Sequence, residues 1–204
     1  MPLELLMGPM YSGKSSAAQH RIRRAQAIRW PVYAITHSMD TRYSATPMIV
    51  SHDQTALPAR ASTTLMPHLE STEFLLSKLV VIEEAQFFPD LVEFVDLVVD
   101  KHRKECVVVG LDGDAERKPI GDILRLVPRA DKVEKLTALC RRCGNGTPAP
   151  FTHAVSADAV AAASSGVPCV GAEERYQPLC RAHYLEAVAP PVLSTVQHET
   201  TWGC

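Results

Sequence analysis

Short runs of apolar residues alternate along the chain with longer segments in which apolar residues recur every three or four positions. The apolar runs predict buried strands, because a strand covered on both faces needs no polar side. They lie at 3–7, 32–36, 79–82 and 106–111, and a last strand is predicted at 133–138. The periodic segments predict helices at 14–29, 70–76, 90–101 and 120–127. This alternation indicates an α/β fold in which helices flank a parallel sheet.

The regular pattern ends near residue 139. From there onwards Gly, Pro, Ala and Ser dominate, as in GNGTPAP and AAASSGVP. A change of composition of this kind marks a domain boundary. We therefore expect a domain of residues 1–139, a small second unit of residues 140–185, and a disordered C-terminal tail of residues 186–204.

Composition narrows the possible classes of protein. The 204 residues are 46% hydrophobic and carry a formal net charge of −2. That charge argues against a dedicated nucleic-acid partner, because binding to a phosphate backbone normally needs a basic surface. No stretch approaches the ~20 apolar residues of a membrane span, and the N-terminus has no basic region with an apolar signal core. We expect a cytoplasmic protein without a membrane partner.

A phosphate-binding motif follows the first strand. Residues 8–15, GPMYSGKS, match GxxxxGK[ST] at every fixed position, with a predicted strand before them and a predicted helix after them. In such loops backbone N–H groups surround the phosphates, the lysine reaches the β and γ phosphates, and the hydroxyl binds Mg²⁺. The motif predicts a nucleoside triphosphate site on a P-loop (RecA-like) sheet. Its residues are Gly8, Pro9, Met10, Tyr11, Ser12, Gly13, Lys14 and Ser15.

Two pairs of metal-ligand residues lie in the second unit. Two residues separate Cys140 from Cys143, and two separate Cys180 from His183. Three thiolates and one imidazole make a complete tetrahedral set for structural Zn²⁺, which leaves no open position for catalysis. The alternative is ordinary core cysteines and a surface histidine, which the symmetrical pairing disfavours.

A third motif comes directly after the apolar run at 79–82, where two carboxylates, Glu83 and Glu84, are adjacent. Walker B acids occupy this place: the first helps to hold the Mg²⁺ shell, and the second orients or deprotonates the nucleophile. Two solvated acids at a strand end are the alternative, which the upstream phosphate motif disfavours. Phe87 and Phe88 are as consistent with a packed aromatic pair as with a binding site.

On these motifs the chain resembles the zinc-containing (type II) thymidine kinases over nearly its whole length. The matching segments are GPMYSGKS at 8–15, DTRYS at 40–44, SHD at 51–53, VIEEAQFFPDLVEF at 81–94, GLDGDAERKPIGDILRLVPRADKVEKLTALC at 110–140 and VGAEERYQPLCRAHY at 170–184. Phosphate loops occur in many folds. The AQFF run, the RKPxGDI stretch and the zinc pairs in this order are specific to the family.

The resemblance implies transfer of the γ-phosphoryl group of ATP to the 5′-hydroxyl of thymidine, which gives thymidine monophosphate. ATP, Mg²⁺ and structural Zn²⁺ are the implied cofactors. By this resemblance Glu84 is the base that accepts the hydroxyl proton, and Arg42 neutralises charge around the phosphates. Asp40, Glu83 and Gln86 join the ATP and Mg²⁺ site. Members of the family are commonly tetramers, so a homo-oligomer is expected.

The nucleoside site also comes from the resemblance. In this family a lasso between the zinc pairs closes over the base and grips it largely through backbone groups. The implied pocket residues are Met10, Phe87, Leu111, Thr152 and Tyr176, and the implied lasso residues are Val167, Pro168, Cys169, Val170 and Gly171.

Three positions depart from the family pattern. Glu83 stands where aspartate is usual, Ala115 where phenylalanine is common, and His183 where cysteine is commoner. The lost aromatic surface at Ala115 opens the question of deoxyuridine as a second acceptor. Two other classes stay open: a zinc-bearing ATPase that acts on nucleic acid, and a nucleotide-binding regulator without catalysis. The net charge disfavours the first, and the presence of Glu84 disfavours the second.

Overall fold

The fold is built on a six-stranded parallel sheet, seen in a computed structural model that describes residues 2–39, 48–50, 56–165 and 175–189. In chain order the strands are β1 (Leu3–Met7), β2 (Val32–His37), β3 (Met48–Val50), β4 (Ala56–Pro58), β5 (Arg60–Ser62), β6 (Leu79–Ile82), β7 (Glu105–Gly110), β8 (Lys132–Lys135), β9 (Ala138–Leu139), β10 (Pro148–Ala149), β11 (Phe151–Ala154) and β12 (Tyr176–Leu179). The sheet order is β5-β2-β6-β7-β1-β8, and every neighbouring pair is parallel. The expected α/β fold is confirmed.

The helices are mostly short. They are α1 (Lys14–Ala27), α2 (Thr72–Leu76), α3 (Leu91–Asp96), α4 (Ala157–Ser165) and α5 (Arg181–Val188), with 3₁₀ turns at Met66–Glu70, Ala85–Phe87 and Ile123–Arg129 and a π-helical turn at Leu97–Lys101. Within the described ranges, no helix has both the length and the apolar character needed to cross a membrane.

Apolar side chains are buried on both faces of the sheet, because successive residues of a strand point to opposite sides. On one face Leu6 lies with Ala18 and Ile22 of α1. On the other face Leu5 lies with Phe74 of α2 and Phe94 of α3. Since both faces are covered, the central strand β6 has no polar side, which explains its unbroken apolar sequence.

Three predicted elements take a different form. The predicted strand at 133–138 is divided, since β8 joins the main sheet and β9 pairs with β10 in a separate hairpin. The predicted helix at 120–127 is the 3₁₀ turn Ile123–Arg129, which contains Pro128; proline lacks the N–H that the interior of an α-helix needs. The predicted helix at 90–101 is α3 continued by the π-helical turn.

Residues 138–154 and 175–189 form a second group of elements, which we call the Cys/His module. It contains two antiparallel pairs, β9–β10 and β11–β12, followed by α5. Its buried residues include Ala149, Leu179 and Tyr184, and Tyr11 of the phosphate loop packs against them. The sequence pattern predicted no regular elements here, because strands of two to four residues carry too little periodicity to be recognised.

Candidate active site and metal centre

The phosphate loop joins the carboxyl end of β1 to the first turn of α1. Gly8 has φ +150°, and a Cβ on it would lie 2.4 Å from the Leu136 carbonyl oxygen, so only glycine fits this close approach. The Lys14 Nζ donates to the Pro9 carbonyl oxygen at 2.6 Å, and the Ser12 hydroxyl donates to the same oxygen at 2.8 Å. The loop is therefore already folded around its lysine, with the amino terminus of α1 facing it.

The two acids follow β6 at the same edge of the sheet, because the carboxyl ends of parallel strands lie on one side. Glu83 is only 5% exposed, whereas Glu84 is half-buried. Glu84 has φ +52° and ψ +39°, a left-handed conformation that is uncommon for a residue with a side chain, and it begins the turn Ala85–Phe87. The chain thus bends sharply at the acid proposed as the base.

Gln86 holds Glu84 by a hydrogen bond. Its Nε2 donates to the Glu84 Oε2 at 2.6 Å, and its Oε1 accepts from the Leu111 backbone N–H at 3.0 Å. The backbone N–H can only donate, so it fixes which end of the amide faces the carboxylate. Gln86 is 4% exposed. Gln86, which the family resemblance places in the ATP and Mg²⁺ site, thus joins Glu84 to the loop after β7.

The RKPxGDI stretch packs against this glutamine. Gly121 has φ +56°, and a Cβ on it would lie 1.9 Å from the Gln86 carbonyl oxygen. Gly110 approaches the side chain, since a Cβ there would lie 2.4 Å from Gln86 Oε1. Neither position tolerates a side chain without movement, so the two glycines let the loops after β6 and β7 meet.

The two phenylalanines have different environments. Phe88 is 2% exposed and belongs to the core, whereas Phe87 is half-buried. The His37 ring, at the end of β2, lies 5.6 Å from the Phe87 ring and 4.9 Å from the Phe88 ring, between centroids. Burial lowers the pKa of His37, although the nearby charge of Glu84 acts in the opposite direction. Phe87 is thus the one of the pair that remains accessible at the site.

Met10, Thr152 and Tyr176, which the resemblance places in the nucleoside pocket, lie close together. The Thr152 hydroxyl accepts a hydrogen bond from the Met10 N–H at 3.0 Å. Tyr176 lies with Ala154, and Met10 and Ala115 pack against them. The phosphate loop, the loop after β7 and the strands β11 and β12 therefore meet at one place.

Seven of the predicted site residues lie outside the described residues. They are Asp40, Arg42, Val167, Pro168, Cys169, Val170 and Gly171.

The four predicted metal ligands come together. Their ligand atoms all lie within 4.8 Å of one another. The sulfurs of Cys143 and Cys180 are 3.8 Å apart, and His183 Nδ1 lies 3.3 to 3.4 Å from the three sulfurs. A tetrahedral Zn²⁺ with Zn–S bonds of about 2.3 Å and a Zn–N bond of about 2.0 Å needs separations of about 3.8 and 3.5 Å. The geometry therefore fits zinc.

The ionisation of Cys140 also suits a cation. Burial acts to raise the pKa of this thiol, but the backbone groups of Cys180 and Cys143 and the His183 side chain lower it to about 6. A thiolate, not a thiol, is the form that binds a metal. The cluster thus offers a charged ligand at neutral pH.

Comparison with known proteins identifies the family. The family model described as thymidine kinase matches residues 1–184. The chain belongs to the thymidine kinase family. It is 35% identical to the cytosolic thymidine kinase of Gallus gallus, over 90% of this chain and 77% of that protein. It is 34% identical to the thymidine kinase of Vaccinia virus (strain Western Reserve), over 91% and 97%, and to the cytosolic thymidine kinase of Homo sapiens, over 90% and 73%.

The structure adds one contact that the resemblance to thymidine kinases had not suggested. The Tyr184 hydroxyl donates to the Ala115 carbonyl oxygen at 2.7 Å and so joins the Cys/His module to the loop after β7. In the sequence, the only sign of this contact is the tyrosine next to the ligand His183. An aromatic residue beside a metal ligand is unremarkable in sequence, and its partner is a backbone group 69 positions away.

Proposed function

We propose that the protein is an ATP-dependent thymidine kinase that forms thymidine monophosphate and ADP. The observation that carries this is the meeting of the phosphate loop and Glu84 at one edge of the sheet, in a chain of this family. Phosphoryl transfer needs little covalent help from a protein, so placing the phosphates and the base is the main contribution.

In the proposed reaction Glu84 accepts the proton of the thymidine 5′-hydroxyl. The hydroxyl oxygen forms a bond to the γ-phosphorus, the bond between that phosphorus and the β–γ bridging oxygen breaks, and ADP leaves. Lys14 and the α1 amino terminus hold the phosphates. The Ser15 hydroxyl and the Glu83 carboxylate are oxygen ligands of the kind Mg²⁺ prefers. The ion, when bound, neutralises phosphate charge. Arg42 is proposed to add a positive charge.

The nucleoside is proposed to lie between the phosphate loop and the strands β11 and β12. Met10, Thr152 and Tyr176 already meet there. Phe87 and Leu111 are proposed to line the pocket next to Gln86, and the family resemblance further implies that the segment 167–171 contributes backbone contacts to the base. Ala115 supplies less apolar surface than phenylalanine would, which weakens discrimination among nucleosides; deoxyuridine is therefore proposed as a second acceptor.

The remaining features follow from the family. Zn²⁺ in the Cys/His module is proposed to be structural, since four protein ligands complete its shell. A division near residue 139, a homotetramer and a cytoplasmic location are also proposed, the last because the animal relatives are named cytosolic thymidine kinases.

The test is a phosphoryl-transfer assay with Mg²⁺ and γ-labelled ATP. Thymidine, deoxyuridine, deoxycytidine and single-stranded DNA are offered separately, and labelled nucleotide and free phosphate are both followed. Label in thymidine monophosphate is expected. Phosphate release that only DNA stimulates would instead support the ATPase alternative. The absence of both labelled nucleotide and free phosphate in all four reactions would support a regulator without catalysis.

Glu84→Gln tests the base. It should reduce turnover by a factor on the order of 10² or more while ATP binding stays nearly unchanged. Glu93→Gln, which alters an exposed carboxylate on α3, is the matched control and should leave turnover unchanged. An undiminished rate in Glu84→Gln would exclude Glu84 as the base.

A further inference from the structure

A hydrogen bond from Tyr184 to the Ala115 carbonyl oxygen links the turn that carries the ligand His183 to the loop beside the proposed nucleoside pocket. We propose that Tyr184 is a positioning residue: its hydroxyl fixes the loop 112–118, and metal binding sets the position of that hydroxyl. The metal would thereby control nucleoside affinity although it touches no substrate. The part that concerns the pocket rests on the proposed function.

The loop 112–118 is a tight turn with a strained residue. The Asp114 Oδ1 accepts from the Glu116 and Lys118 N–H groups at 2.9 and 2.8 Å. The Asp114 N–H donates to the Lys118 carbonyl, and the Arg117 N–H donates to the Asp114 carbonyl. Arg117 nevertheless has φ +65°, a sparsely populated conformation for a residue with a side chain. Such a conformation persists where the surroundings hold it.

Tyr184 contacts the loop 112–118 at two points. Its hydroxyl bonds to the Ala115 carbonyl, and the Arg117 guanidinium lies over its ring, 4.6 Å from the centroid. The ring is held in turn by Phe151 and His153, whose centroids are 5.2 and 5.9 Å away. Tyr184 is 2% exposed, so water cannot readily replace the lost bond if the hydroxyl is removed.

The position of Tyr184 depends on the metal ligands around it. It follows the ligand His183 directly, and its N–H donates to the carbonyl of the ligand Cys180 at 2.9 Å. Cys180 is the N-cap of α5, an eight-residue helix, and His183 and Tyr184 lie at its amino-terminal end. Isolated helices of this length are unstable in water, so this turn depends on its packing in the module and on metal binding at Cys180 and His183.

The other end of the link lies in the pocket. Ala115 packs against the cluster that contains Ala154 and Tyr176, and Met10 of the phosphate loop packs against the same cluster. Releasing the Ala115 carbonyl therefore loosens one wall of the space proposed for the nucleoside. Lys14 and Ser15, which are proposed to hold the phosphates and Mg²⁺, do not belong to this cluster, so ATP binding should change less.

Tyr184→Phe tests the proposal because it removes the hydroxyl and keeps the ring. The KM for thymidine should rise roughly three- to ten-fold, as expected for one hydrogen bond, with the KM for ATP and the zinc content unchanged. Tyr33→Phe is the control. It also deletes a buried hydroxyl, bonded to His68 and Ser71, in the core on the opposite face of the sheet from α1. It should leave both KM values unchanged.

Amide hydrogen exchange of the 112–118 segment tests the link to the metal without any substrate. Removing zinc from the wild type should speed exchange of its four bonded amides, and Tyr184→Phe should do the same with zinc bound. Zinc removal should then add little more in the variant. Loop exchange that is insensitive to both changes, or loss of zinc from Tyr184→Phe itself, would overturn the proposal. Absence of kinase activity with the expected exchange pattern would contradict only the proposed function.

Discussion

Gln86→Glu is the change that most directly tests how the proposed base is held. Glutamate has nearly the shape of glutamine, so one oxygen can still accept from the Leu111 N–H. The other oxygen would take the place of the Nε2 that now lies 2.6 Å from the Glu84 carboxylate. A hydrogen-bond donor is thereby exchanged for a second negative charge, and at that separation two carboxylates share a proton.

The magnitude follows from the distance between the two charges. Carboxylates with centres about 4 Å apart repel by about 4 kcal/mol at the effective dielectric of a protein surface, which is about three pKa units. Glu84 is half-buried, and solvent screening reduces this value. We therefore expect the acidic limb of the pH–rate profile to move upwards by about 1 to 2 pH units, with activity largely recovered near pH 8.

The assay is kcat/KM for thymidine between about pH 5 and pH 9, at saturating ATP. Gln86→Met is the control, because it keeps the length of the side chain without a charge. It should lower the rate at all pH values, since the Leu111 N–H and the Glu84 carboxylate both lose a partner, and it should move the limb upwards by less than Gln86→Glu does, because it removes the donor without adding a charge. An acidic limb at the wild-type position in Gln86→Glu would refute the view that Glu84 acts as a base held by this glutamine.

Three further predictions concern stability and metal binding. Gly121→Ala should lower the free energy of unfolding, measured in urea, by about 3 kcal/mol or more, because its Cβ would lie 1.9 Å from a backbone carbonyl oxygen. The control is Gly146→Ala, at φ +86° with open space around it, which should lower that free energy by only about 1 kcal/mol. Equal losses in the two variants would contradict the steric argument. His183→Cys should keep one zinc per chain and His183→Ala should lose it, which metal analysis of the purified variants measures. Zinc retained in His183→Ala would exclude His183 as a metal ligand. Burial lowers the pKa of His68, so the unfolded chain binds more protons than the folded chain, and stability falls as the pH drops below about 6.5. His68→Asn, whose side-chain amide can keep the hydrogen bond to the Tyr33 hydroxyl, should flatten that fall in urea titrations between pH 7 and pH 5, and an unchanged slope would exclude His68 as its source.

The sequence predicted the central strands well because their physical cause is local. β6 is buried at every position and β1 at every position except Glu4, and the predicted bounds of both strands coincide with the observed ones. The short strand β5 was not predicted. It lies at the sheet edge and is partly exposed, so it needs no apolar run. The hairpins of the Cys/His module were missed because their strands have only two to four residues, too few for a recognisable apolar pattern.

In the candidate site, too, some features could be predicted from the sequence and others could not. The phosphate loop and the ligand pairs could be predicted because the geometry of a phosphate or a metal ion imposes fixed short spacings on the chain. The bonds from Gln86 to Leu111 and from Tyr184 to Ala115 span 25 and 69 positions and end on backbone groups. A backbone group has no identity in the sequence, so no residue pattern marks these partners.

The backbone itself shows where this fold concentrates strain. Among the described residues, five non-glycine residues have positive φ. Two of them follow helical segments, where a left-handed residue is common. The other three, Tyr11, Glu84 and Arg117, lie on the loops that leave the adjacent strands β1, β6 and β7.

Each of these three residues is held by a contact that belongs to the site. Tyr11 packs on the buried cluster that includes metal ligands, Gln86 donates to the Glu84 carboxylate, and the Arg117 guanidinium lies over the Tyr184 ring. Strained backbone persists only where its surroundings over-determine it, so the parallel sheet alone would not keep these loops in place. The Cys/His module supplies the contact in two of the three cases. A metal centre that takes no part in the chemistry would thereby still determine the shape of the edge at which the chemistry is proposed to occur.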